Sequence, residues 1–326
     1  MVGHMSSHHV LERRQQWDTP MGGMTSAIGT YAIHSRFLGV NPTVPHDLIA
    51  SMLFCLIFAG LIGGCVFLGR NPFLRTISMY TLFLASLFLF LAFAIRAGIS
   101  NSSDPKKSSF IAESLFLIFA QFCILDVWMM RMRDELIDYY DDSYRLDLRG
   151  PASLKAIMNS VKKSAETRCV LVTRVVIIPL CVILYIVGYS TLPDPDDPAI
   201  VGRHGSTREV ASFMVFIVLC TMQAMTLKHA CFNLPPWLPY LIFFGIALLL
   251  WLPAIYAFCL LAVAPDSSSF VRSKTFFYVS FGFAQAVAIG GLIAMHRQKR
   301  IWEYEVGQES APEEGKEPPD QVEVVE

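Results

Sequence analysis

Seven side chains able to bind or relay something polar stand inside long apolar stretches of this 326-residue chain: Glu113, Gln121, Asp126, Arg174, Gln223, Trp251 and Gln285. A carboxylate or guanidinium surrounded by apolar residues must pair, take up a proton or meet a ligand, because an isolated buried charge is costly. The three glutamines offer amide donors and acceptors for a bound molecule, for a polar path, or for bonds between helices. Trp251 opens a Trp-Leu-Pro253 run, an aromatic ring beside a helix kink. The chain is read as non-enzymatic, with no catalytic residue. The histidines do not suggest a metal site either. His34, His46 and His204 lie in one set of end segments, His229 and His296 in the other, and HExxH is absent. No metal or cofactor is expected.

The elements that carry these residues are hydrophobic spans. Apolar residues make up 54% of the chain, charged residues 16%, and mean hydropathy is +0.47; an ordinary soluble domain is roughly a quarter charged. Seven stretches approach the ~20 residues that cross a bilayer as helix: 48–68, 77–95, 110–130, 169–189, 210–230, 238–264 and 276–295. The spacing predicts an all-α fold, a polytopic membrane protein with a bundle of seven transmembrane helices. The third span, with Glu113, Gln121 and Asp126, runs straight into Arg131-Met132-Arg133-Asp134-Glu135, so its helix is expected to leave the membrane unbroken. Eight cysteines without a CxxC pair read as small apolar packers.

Residues 47–296 form the seven-helix domain, which contains one long loop and is flanked by two further segments. Residues 1–46 form an extracytoplasmic segment, polar and partly disordered, with a weakly amphipathic stretch at 21–40. Residues 131–168 form a long cytosolic loop in which Leu154, Ile157, Met158, Val161 and Ala165 recur at helical spacing beside lysines. That pattern describes either a basic amphipathic helix for an anionic membrane or a partner, or a solvated connector. Residues 297–326 turn acidic and proline-rich and are expected to be a disordered tail. The outer linker 191–208 is turn-rich, and Pro235-Pro236 leaves spans five and six a tight hairpin. Gly60 and Gly64 in span one, and Gly282, Ala286 and Gly290 in span seven, are small-residue spacings that suit close helix packing. Asn101-Ser-Ser103 is a glycosylation sequon if it faces a lumen.

Lysine and arginine set the expected orientation. Ten fall on the side of the N-terminus and fifteen on the side of the long loop and tail. By the positive-inside rule the N-terminus lies outside and the C-terminus in the cytosol, in a plasma membrane or an endomembrane. The bilayer is the first partner. A cytosolic protein at 131–168 or 297–326 is a second, and the charge balance of −1 gives no reason to expect nucleic acid.

Three positional features are similar to those of a known group. Pro42 and Pro45 precede span one, Phe93-Ala94-Ile95-Arg96 closes span two, and Arg131 closes span three. Over about a third of the chain this resembles a fungal family of uncharacterised seven-helix proteins often labelled family C-like G-protein-coupled receptors. The resemblance implies a receptor, although residues 1–46 cannot supply the large folded ectodomain of a true family C member. Trp251-Leu-Pro253 also resembles the W-x-P of rhodopsin-type receptors, but Met130-Arg131-Met132 stands where their acidic-Arg-Tyr would. Span seven lacks Asn-Pro-x-x-Tyr, and Lys274 lies outside it, which removes the Schiff-base lysine of a retinal protein. The reading is a receptor-like protein sensing a small or lipidic ligand, with a small-solute or lipid transporter as the alternative. Two charge pairs are expected: Arg96 with Glu113 at the outer ends of spans two and three, and Asp126 with Arg174 buried at matched depth near the inner ends of spans three and four.

Overall fold

The computed structural model describes residues 46–71, 74–102, 106–140, 164–190, 198–232, 237–262 and 273–309. The chain is an all-α membrane bundle: seven helices are long and apolar enough to cross a bilayer. They are α1 (His46–Gly69), α2 (Ile77–Ser100), α3 (Lys107–Tyr140), α4 (Ala165–Val172, Thr173–Ile177 and Ile178–Ser190), α5 (Pro198–Phe232), α6 (Trp237–Ala262) and α7 (Lys274–Phe277, Tyr278–Phe283 and Ala284–Glu309). Successive helices alternate in direction, which gives the bundle an Asp47 end, where α1 begins, and a His296 end, where α7 leaves the apolar zone.

Local chemistry sets several boundaries. Thr76, Ser164 and Ser273 accept the backbone N–H three residues on, from Met79, Thr167 and Phe276, and so cap α2, α4 and α7. Pro198 opens α5 at the position where a missing N–H costs nothing. The helix therefore absorbs 198–208, which the turn-rich composition had suggested was linker. In α4 the middle segment is a π-helical turn, in which the Ile178 N–H reaches Thr173 O. Pro179 follows directly; it has no N–H and crowds the carbonyl four residues back, and a widened turn is one relief for that clash.

Seated inside the bundle, α3 packs on α2, α4, α6 and α7. Of its span 61% is buried, against 17% of α1 and 28% of α4. The outer faces of α1 and α4 present Leu56, Phe67, Val175 and Ile183 outward, each more than half exposed. Such surfaces suit acyl chains and would be untenable in water.

Some sequence expectations fall differently. α3 continues unbroken to Tyr140, as expected, and α5 and α6 pack together as a hairpin. α7, however, runs to Glu309, so the segment from 297 begins as helix; the polar run before Pro312 contains nothing that stops one. Among the described residues the GxxxG spacing of α1 does not bring a helix close. A Cβ on Gly60, Gly63 or Gly64 would meet nothing within 4 Å. Gly282 is where close packing occurs, since a Cβ there would stand 2.5–2.7 Å from ring atoms of Phe54; Gly290 faces open space. The 1–45 segment, the helical pattern at 154–163, linker residues 191–197 and the tail after Glu309 lie outside the described residues.

Candidate functional site

The Asp47 end holds a buried polar cluster drawn from four helices. Arg96, near the end of α2, donates from Nη1 to Glu113 Oε1 of α3 at 2.8 Å and from Nη2 to Asp47 Oδ1 of α1 at 3.1 Å. Its Nε donates to Tyr278 Oη of α7 at 3.2 Å, and that hydroxyl donates to Asp47 Oδ1 at 2.9 Å. Lys274, at the start of α7, pairs with the other Asp47 oxygen, and Ser51 Oγ lies 3.0 Å from Tyr278 Oη. Asp47, Arg96 and Glu113 are each at most 1% exposed. Two acids meet two bases, so the cluster sums to neutrality, the condition under which charges can be kept from water. Asp47 also stands in the first turn of α1, where the helix dipole favours an anion.

Aromatic rings close the cluster from below. The Arg96 guanidinium lies 4.2 Å from the centroid of Phe277, and Phe54, Phe93 and Tyr278 stack at 5.1–6.0 Å. The expected Arg96–Glu113 pair is present, but it is half of the arrangement. Sequence reading missed Asp47, Lys274 and Tyr278. The signal available was position: both charges stand at helix starts, at the same end as Arg96.

A second cluster lies at the His296 end. Arg131 Nη2 of α3 bonds His296 Nδ1 of α7, while His296 Nε2 reaches Leu74 O at 3.1 Å and Thr76 Oγ1 at 3.2 Å. Since Nδ1 accepts from arginine, the ring is the neutral tautomer with its proton on Nε2. Both side chains are buried. Asp126 and Arg174 meet as expected, through both carboxylate oxygens: Nε to Oδ1 at 2.5 Å and Nη2 to Oδ2 at 3.3 Å. They are partly exposed, 23% and 26%, rather than fully buried. Arg174 sits in the π-turn of α4, with Val175 and Val176 outward.

Between the two clusters stands a third group, polar but uncharged. Gln285 of α7 and Trp128 of α3 are fully buried; both amide atoms of Gln285 and of Gln223, and the indole nitrogens of Trp128 and Trp251, have no hydrogen-bond partner among the described residues. Cross-helix contacts fix their levels. Gln121 is ten residues before Arg131, and Gln285 eleven before His296, on helices running the same way. Tyr256 of α6 meets Phe281 of α7, which puts Trp251 beside Gln285 in depth. Thr226 of α5 meets Met132 of α3, so Gln223 and Trp128 share the next level, about two turns nearer the His296 end. Of the sequence candidates, then, Gln121, Trp251 and Gln285 share one depth, Gln223 lies below, Glu113 belongs to the Asp47 cluster, and Asp126 and Arg174 form their own pair. Trp251 also packs edge-on against Phe216 at 4.8 Å, and α6 continues through Pro253.

Comparison with family models, curated proteins and solved structures gave no match. Among the described residues no group of histidine, cysteine and acidic side chains is gathered as a metal site.

Proposed function

We propose that this membrane protein is receptor-like: a small ligand enters the bundle and is read out at the cytosolic end of α3. One observation carries the reading. Uncharged polar groups of α3, α5, α6 and α7, several lacking partners, stand between the charge cluster at the Asp47 end and the hydrogen-bonded Arg131–His296 pair at the other. An amide buried without a hydrogen bond costs several kcal/mol in hydrocarbon, so Gln223 and Gln285 favour a guest that both donates and accepts. Buried polar contacts tying helices together at either end suit an enclosed site better than an open path. The fungal-family resemblance and an N-outside orientation agree with the reading, which places the Asp47 cluster outside and leaves α3 and the 141–163 segment to meet a cytosolic partner.

The transporter alternative keeps one observation in its favour. The same polar groups occupy two successive depths, as a path would. Sided labelling separates the two. In a cysteine-depleted background, Gln285→Cys and Gln223→Cys are exposed to a membrane-impermeant thiol reagent from either face of sealed vesicles. A receptor-like site is labelled from one face at most. Labelling of the same position from both faces would replace the receptor reading by transport.

A further inference from the structure

The flank of the bundle at the His296 end carries a cleft of about 290 Å³ between the last turns of α1 and the first turns of α2. Its floor and walls are apolar: Cys65 and Gly69 on one side, Met79 and Phe83 on the other. Its rim is not. Arg75, exposed in the short linker, donates through Nε to the hydroxyl of Tyr80 and stands 5.7 Å from the ring centroid. That contact holds the guanidinium over the cleft and leaves both Nη groups without a hydrogen-bond partner among the described residues. Residues 70–76 include two arginines and no acid.

Depth gives the cleft its meaning. The apolar spans end at Gly69 and begin again at Ile77, so Arg75 stands at the level of lipid headgroups. Phe83 lies six residues beyond Ile77, about 9 Å deeper in hydrocarbon. A cation fixed above an apolar trough of that depth matches an amphiphile with an anionic head and an acyl tail. The guanidinium fork fits phosphate oxygens, which a choline-bearing headgroup partly neutralises and a glycerol-bearing one does not. A volume near 300 Å³ lies at the small end of ligand sites and suits part of one acyl chain.

We infer that this cleft is a binding site for one anionic phospholipid of the adjoining leaflet, its phosphate on Arg75 and a chain between α1 and α2. The site is separate from the interior groups of the proposed receptor, and neither reading depends on the other.

The test is native mass spectrometry of the delipidated full chain, titrated with phosphatidylglycerol, phosphatidylcholine or inorganic phosphate. One phosphatidylglycerol should bind at least about fivefold tighter than phosphatidylcholine, the advantage one arginine gives near an anionic headgroup, and inorganic phosphate should neither bind nor compete. Arg75→Gln should remove that preference. Gly69→Leu should weaken both lipids, because a Cβ at Gly69 meets nothing within 4 Å and the added side chain has room to occupy the cleft without disturbing the fold. An unchanged melting temperature would show that both variants are folded. Equal affinity for the two lipids, an Arg75→Gln protein that keeps its preference, or competition by free phosphate would each overturn the assignment.

Discussion

Charge pairs between helices are the residues on which this bundle depends, and they respond differently to mutation. Arg96 serves Asp47, Glu113 and Tyr278 together. Arg96→Met therefore leaves Glu113 without its cation and takes one of its two cations from Asp47, which keeps Lys274 and the Tyr278 hydroxyl. Breaking a buried pair by removing one partner costs about 3–5 kcal/mol; the expected result is loss of the monodisperse peak when detergent-solubilised protein is heated and analysed by size exclusion. Glu113→Gln keeps the shape and one acceptor, and should cost clearly less. If the two variants melt alike, the cluster is not held by charge. The Asp126–Arg174 pair is about a quarter exposed, so its stake is smaller. Asp126→Arg and Arg174→Asp should each destabilise, and the double exchange should recover about 1 kcal/mol, within the usual coupling of touching residues; strictly additive losses would show that the bidentate geometry contributes nothing. Both pairs were legible in sequence because each charge interrupts an apolar run at a depth that can be counted. Lys274 and Asp47 were not, since charges at helix starts look like ordinary boundary residues until a neighbouring helix supplies their partner.

At the scale of elements, the helices follow from apolar length alone, while their contacts depend on individual side chains. Small-residue spacing was the least reliable guide. Gly60 and Gly64 carry the sequence signature of close approach and face open space, whereas Gly282 lies under the ring of Phe54. The difference is which way each face turns, and the helix period does not record that when every face is apolar. Gly282→Ala should thus be the harmful change. Its methyl would press into Phe54 and cost about 1–3 kcal/mol, and Phe54→Leu on the same background should restore part of the loss. Gly60→Ala and Gly64→Ala should leave thermal stability nearly unchanged. A Gly60→Ala protein that melts as early as Gly282→Ala would mean that α1 packs against something through its glycine face.

For the whole molecule, the seven-span architecture was readable from composition and run length, since few other structures satisfy 54% apolar residues in separated stretches. Orientation rests on lysine and arginine alone. An epitope at the C-terminus should be protected in intact cells, and one at the N-terminus accessible; an accessible C-terminal epitope would invert every assignment of inside and outside. The length of α3 has a mechanical consequence of its own. Glu113 is anchored in the Asp47 cluster, and 27 residues of continuous helix separate it from Tyr140, roughly 40 Å at 1.5 Å per residue. A rod of that length turns angle into distance: a tilt of about 5° around Glu113 carries the Tyr140 end sideways by roughly 3.5 Å. Helix shifts of only about 1–2 Å accompany many switching transitions. A loosened anchor at one face of the membrane would thus register at the other as a displacement large enough to open or close a protein contact.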